Sequence, residues 1–205
     1  MNDAAAPRHL WARRVQQASA AVLKLERLAL MGLMGGLTLL ILLNVVTRYS
    51  GVPIYWVDEA AVYLVVWLCF VGASAMTRLR LDFAVSLLTD HLGERNARRL
   101  KVLATFGVLC FGLAMLAMCW LWMDPVGIAR YGFDAKEYAA ESFNFLYTER
   151  TQTLNWPTWI VQSILPLFGM SFSLHAAANL IEDLGLRPRA EVKGFDIHNA
   201  EEAVN

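Results

Sequence analysis

The chain has 205 residues, 57% of them apolar, with 18 basic and 18 acidic side chains. A soluble domain of this length is nearer half apolar, and a nucleic-acid binder carries a basic excess, so the composition argues against both. The mean hydropathy is +0.42, and the charges are placed unevenly.

Residues 1–7 read as a disordered start. From Leu10 to Leu25 the apolar positions Trp11, Val15, Ala18, Val22 and Leu25 recur at spacings of three and four, with Arg13, Arg14, Gln17 and Lys24 off that stripe. This predicts an amphipathic helix, lying on a membrane surface or leading straight into the next segment. Leu28–Thr47 follows, 20 residues without Asp, Glu, Lys or Arg. Its Gly32 and Gly36 form a GxxxG pair, a pattern that permits close helix approach in lipid. Asn44, near its end, is expected to bond a neighbouring helix.

The stretch RYSGVPIYWVDEAAVYLVVW (Arg48–Trp67) comes next. SGVP is read as a turn, which puts Asp58 and Glu59 in the first turn of a second helix. The helix dipole favours acids there by a few tenths to about 1 kcal/mol. Glu59, Tyr63, Val66, Trp67 and Phe70 share one helical face. Arg48 is expected to pair with Glu59 across the hairpin, and Asp58 to be a solvated neighbour. Tyr49, Tyr55 and Trp56 sit where amphipathic rings settle at a membrane interface. Two readings stand side by side: a capped, aromatic-belted hairpin, or Glu59 and Arg48 as inter-helix or inter-subunit anchors.

Three more uncharged windows follow: Ala60–Thr77 (18 residues), Val102–Met123 (22) and Thr158–Ile181 (24). Between the first two of these, Leu81, Ala84, Val85, Leu88 and Leu92 share a face, which predicts a second interfacial helix. Arg78, Arg80, Arg95, Arg98, Arg99 and Lys101 flank it, as ligands for anionic lipid or as topological anchors. The last connection, Asp124–Pro157, has 34 residues and is rich in aromatics. It is expected to be an ordered outer cap with a short helix in Ala135–Leu146, touching the membrane surface or a partner. Pro157 suits a helix start, Pro166 is expected to kink the last helix, and the tail after Asp183 is expected to be mobile.

About 20 apolar residues cross a hydrocarbon core of about 30 Å. A soluble four-helix bundle would carry charge on the outer face of every helix. The windows are also too long and too continuously apolar for barrel strands. The fold class expected is an all-α integral membrane protein with four transmembrane helices, about 28–47, 57–77, 102–123 and 158–181. These lie in a membrane domain of 28–184 with a periplasmic loop 124–157, between tails 1–27 and 185–205. With both tails and the second loop on one side, fourteen Lys and Arg face four on the other. The positive-inside rule then puts both termini in the cytoplasm, with the first helix as an uncleaved signal anchor.

Few residues point to chemistry. His175 is the only histidine within a window, so the facing pair of a membrane haem site is missing. Cys69, Cys110 and Cys119 lack CxxC spacing and read as small apolar residues. There is no HExxH and no P-loop. Asn44, His175, Asn179 and the Asp58/Glu59 pair are near helix ends or alone, which is a poor ion or substrate pathway. Catalysis is not expected, nor a cofactor or metal. The pattern suits an accessory subunit; a stand-alone small transporter and a membrane anchor for a redox enzyme are the alternatives.

The segment from Asn44 to Leu81 resembles the small membrane subunit of tripartite ATP-independent periplasmic (TRAP) transporters, the DctQ-like family. The resemblance is carried by Asn44, Arg48, Tyr49, Trp56, Glu59, Val66, Trp67, Gly72, Ala73 and Arg78, and near the C-terminus by Pro157, Trp159, Pro166 and Gly169. It covers about Leu28 to Leu184. It implies a bacterial inner-membrane subunit that braces a large permease subunit and helps dock a periplasmic substrate-binding protein. The substrate implied is an organic acid, moved by a sodium gradient used through the partner subunit, with phospholipid as the surrounding partner. Arg48, Trp56, Glu59, Tyr63, Trp67 and Arg78 are the expected subunit or structural anchors. Two departures stand out: Asp82 occupies the position of a frequent family histidine, and the loop 124–157 is longer than the family leads one to expect.

Overall fold

The computed structural model describes residues 10–80 and 93–190. Among them are seven helices: α1 (Leu10–Tyr49), α2 (Trp56–Leu79), α3 (Glu94–Met123), α4 (Pro125–Arg130), α5 (Ala135–Ser142), α6 (Thr158–Gln162) and α7 (Ile164–Asp183). No strand occurs among the described residues; Arg150 and Pro157 form an isolated antiparallel bridge. Four segments are long and apolar enough to cross a membrane: Leu10–Tyr49, Trp56–Leu79, Arg95–Arg130 and Thr158–Asp183. The interfacial helix expected from Leu81 to Leu92, with Asp82, lies outside the described residues, as do the expected disordered start and the end of the C-terminal tail.

The expected amphipathic helix and the first span are one helix of 40 residues. Its inward face is not the apolar stripe. Ala12, Gln16, Ser19, Leu23 and Glu26 are buried, while Trp11 and Leu25 are exposed. The inward face is displaced by one residue from the expectation, because polar side chains on α1 find hydrogen-bond partners inside the bundle. A helix beside lipid has no reason to hide its leucines, so polarity rather than greasiness sets which face turns in. The last span also differs from a simple kink. Pro166 has no N–H to give the Gln162 carbonyl, and the helix is interrupted at Ser163 between α6 and α7. Pro157 is the N-cap of α6 rather than its first helical residue. α3 begins at Glu94, ahead of the uncharged window, because a helix continues beyond the hydrocarbon boundary.

α7 packs against α1, α2 and α3, and α1 packs on α2. Small residues set the α3–α7 separation. A Cβ on Gly112 would stand 2.6 Å from Ser173 Oγ and 2.8 Å from the Phe172 ring, and one on Gly169 would stand 3.5 Å from the Leu116 backbone. Phe70 meets Phe168 edge-on at 5.2 Å between centroids, and Ser74 bonds Ser171 at 2.8 Å. Leu23, Ala75 and Leu79 form a small buried cluster with Leu30 against it. The GxxxG pair is only half used within the chain: a Cβ on Gly36 would meet Leu64 at 3.6 Å, and one on Gly32 would meet nothing within 4 Å among the described residues.

The loop after α3 is an ordered cap, with α5 where a short helix was expected. Asp124 caps α4 by accepting from Gly127 N at 2.9 Å, and accepts from the Tyr138 hydroxyl at 3.0 Å. Asn144 Nδ2 donates to Trp122 O at 2.8 Å, and the Tyr147 hydroxyl to Met123 O at 2.7 Å. These two side chains satisfy carbonyls that the end of α3 leaves free. Burial first, then Tyr138 and Asp124 nearby, raises the Tyr147 pKa and keeps the hydroxyl a donor.

Candidate functional site

The polar side chains gather at the two ends of the bundle. At the loop end, where α1 passes into α2, Arg48 Nη2 pairs with Asp58 Oδ2 at 2.6 Å. Asn44 joins them, donating to Asp58 Oδ1 at 2.5 Å and accepting from Arg48 Nε at 2.8 Å. The expected Arg48–Glu59 pair is therefore not formed, and Asp58 is the partner rather than a solvated neighbour. Glu59 is turned toward the loop before α6. Its carboxylate accepts from the Tyr63 hydroxyl (2.9 Å), from Gln152 N (2.9 Å), Thr153 N (2.7 Å) and Leu154 N (2.9 Å), and from Thr153 Oγ1 (2.5 Å). Three successive amides on one carboxylate make an anion nest, here filled from within the chain.

Trp56, Tyr63 and Trp67 lie on one side of α2 and line an apolar cleft of about 340 Å³ with Leu40, Trp156 and Ile160. Trp67 Nε1 closes it by donating to Val161 O at 3.0 Å. That carbonyl belongs to α6, whose last turn is cut short at Ser163, so the indole supplies a donor that a continuous helix would have provided.

At the opposite end, α1, α2, α3 and α7 converge on an ionic cluster. Arg78 Nη2 meets Glu182 Oε1 at 2.7 Å, with the two side chains only 3% and 2% exposed. Arg78 Nη1 also donates to Asn179 Oδ1 at 2.5 Å and to Glu182 Oε2 at 3.2 Å, and Asn179 Nδ2 donates to Thr77 O at 2.7 Å. Arg80 caps α2 at φ 58. This left-handed conformation costs a non-glycine residue about 1–2 kcal/mol. It turns the guanidinium onto α7, 2.7 Å from Asp183 Oδ1 and 2.8 Å from Asn179 O. Thr105 of α3 donates to Asp183 Oδ2 at 2.8 Å, and Lys101 lies 3.8 Å from Asp183. Deeper in, His175 is fully buried between Ser19 Oγ (2.7 Å) and Glu26 Oε2 (3.0 Å).

His175 is thus not alone, contrary to the expectation. The start of the C-terminal tail is also tethered rather than mobile. Gln16 Nε2 donates to Glu182 Oε1 at 3.0 Å and to Pro188 O at 3.2 Å, and Ala190 N reaches Glu182 Oε1 at 3.3 Å. Of the expected anchors, Arg78 stands in this cluster, Arg48 and Glu59 stand at the loop end in separate networks, and Trp56, Tyr63 and Trp67 share the cleft. The sequence reading missed Glu26, Arg80, Glu182 and Asp183 as network members. A signal was present: His175, Asn179 and Glu182 are spaced four and three apart and share one face of α7. Chemically, the carboxylates Glu182 and Asp183 are 2% and 7% exposed and already shared among arginine, lysine, threonine and glutamine. The cluster joins helices; it does not present an open charged path.

The model of the DctQ component of tripartite ATP-independent periplasmic transporters matches residues 37–186. The C4-dicarboxylate TRAP transporter small permease protein DctQ of Vibrio cholerae serotype O1 is 28% identical over 116 residues, covering 56% of this chain and 49% of that protein. The match thus spans about half the length of that relative. No solved structure matches the chain. The family match takes in the loop-end hairpin, the cleft and most of the ionic cluster, and on it the chain belongs to the DctQ component family of tripartite ATP-independent periplasmic transporters, a transporter component and not an enzyme.

Proposed function

We propose that this chain is the small permease subunit of a sodium-coupled importer of an organic acid. It braces a large permease subunit and helps dock the periplasmic substrate-binding protein, with both termini in the cytoplasm. The observation that carries this reading is the occupancy of the charged groups. Glu59, Glu182 and Asp183 are each held by donors of the chain itself. Bulky apolar side chains such as Leu39, Leu42, Phe111 and Leu121 are meanwhile exposed along the spans. A subunit built this way offers a stiff apolar surface and leaves sodium and substrate coordination to another polypeptide.

The test is purification of the tagged full chain from native membranes, with uptake measured in cells lacking it. A larger multi-span polypeptide is expected to co-purify, and sodium-dependent uptake of a C4 organic acid is expected to be lost without this chain. Solute flux through liposomes holding this chain alone, with nothing co-purifying, would overturn the reading.

A further inference from the structure

At the end of the bundle that holds the ionic cluster, a groove of about 590 Å³ runs between the start of α3 and the end of α7. Its walls are Leu103, Phe106, Leu180 and Leu184, and Arg98 and Arg99 stand at its rim. Leu103, Phe106 and Leu184 are 65%, 52% and 49% exposed, so the chain leaves this apolar surface open. The order along α3 is charged, then apolar. Arg99, Leu103 and Phe106 follow at spacings of four and three on one face, which puts the Arg99 and Phe106 Cα positions about 10 Å apart along the axis.

The nearby carboxylates do not claim this rim. Glu182 and Asp183 are taken by Arg78, Arg80 and Lys101. Among the described residues, neither Arg98 nor Arg99 forms an ion pair with a carboxylate. Arg98 instead lies over the turn that ends α7, where a Cβ on Gly185 (φ +75) would come 3.1 Å from its Nη2. Two guanidiniums above an open apolar groove match one kind of molecule: an anion joined to a long hydrocarbon chain.

We propose that this groove is an anionic-phospholipid site, with the phosphate bound by Arg98 and Arg99 and an acyl chain lying along Leu103 and Phe106. Arginine holds phosphate through paired, charge-assisted hydrogen bonds, which are strong at the boundary of a low-dielectric medium. The lipid would cover the seam between α3 and α7, and so stiffen the side of the bundle that the Gly112 and Gly169 contacts bring together.

The test uses the full chain reconstituted into phosphatidylcholine vesicles containing about one part in five phosphatidylglycerol, then re-extracted in mild detergent. Retained lipid is read by native mass spectrometry. At about 1 kcal/mol per arginine, the ratio of retained phosphatidylglycerol to retained phosphatidylcholine is expected to be roughly tenfold to thirtyfold that of the vesicle. Arg98→Ala/Arg99→Ala is expected to abolish the enrichment, whereas Arg13→Ala/Arg14→Ala, an exposed basic pair on α1, is expected to keep it. Absence of enrichment in the unaltered chain, or equal loss in both double variants, would overturn the site. If the alanine pair does not fold, Arg98→Lys/Arg99→Lys is expected to retain enrichment that weakens as salt rises from about 0.05 M to about 0.5 M. Enrichment indifferent to salt would count against the proposal just as firmly.

Discussion

The two ends of this bundle use the same residue types to opposite effect. Arg48 and Asp58 at the loop end form an ion pair whose side chains are 60% and 49% exposed, while Arg78 and Glu182 form one that is almost wholly enclosed. An exposed pair trades one water-like environment for another and contributes about 0–1 kcal/mol. An enclosed pair has already lost its hydration, so its worth lies in the cost of breaking it. Identical contacts at similar distances, 2.6 and 2.7 Å, thus do different jobs. The loop end orients a hairpin; the opposite end locks four helices.

The largest effect is expected from removing one partner of the enclosed pair. Arg78→Ala is expected to cost about 3–5 kcal/mol, read as the free energy of unfolding in detergent micelles, because Glu182 would stay buried without its main counter-charge. Replacing both, as Arg78→Met with Glu182→Leu, is expected to recover much of that loss. If the double variant is no better than the single one, Arg80 and Asn179 rather than Arg78 carry the cluster. Next in size is Gly112→Val, expected to cost about 1–3 kcal/mol by forcing α7 away from α3. A variant as stable as the parent would show that Ser173 and Phe172 can give way.

Glu59→Ala is expected to act locally. The amides of Gln152, Thr153 and Leu154 lose their shared acceptor, and their hydrogen-exchange protection should fall severalfold while the rest of α2 is unchanged. Unchanged protection at those three amides would mean that the turn holds itself. The smallest effects belong to the exposed pair. Arg48→Ala and Asp58→Ala are each expected to change stability by about 0–1 kcal/mol, and by similar amounts, since each bonds the other and Asn44. A loss with Arg48→Ala much larger than with Asp58→Ala would reveal a partner for the arginine beyond Asp58 and Asn44.

How far the sequence anticipated these features depends on the physics behind each. The four spans were legible because lipid excludes charge over about 20 residues; three windows each lie within one helix, and the fourth is divided between α6 and α7. The face of α1 was misread because the rule for soluble helices, leucine inward, fails beside lipid. Gln16, Ser19 and Glu26 turn in because α7 offers them Glu182 and His175. The Arg48 partner was misassigned for a simpler reason. Asp58 and Glu59 are neighbours in sequence, about 100° apart around a helix, and only the position of the loop 152–154 decides which faces Arg48. Nothing local to the hairpin encodes that loop. Arg78 was singled out through the family resemblance, but Glu182, more than a hundred residues away, could be found only by noticing the polar face of α7.

The length of α1 gives it a mechanical property. A single helix of 40 residues is about 60 Å long, roughly twice the hydrocarbon thickness. Its two ends are tied to different things: Asn44 and Arg48 to the loop-end hairpin, and Gln16, Ser19 and Glu26 to α7. Such a rod transmits rotation without needing to bend. A tilt of about 10° about its midpoint displaces each tip by about 5 Å in opposite directions. Movement at one membrane face therefore becomes a counter-movement at the other, and the ionic cluster is the bearing on which the rod would have to turn.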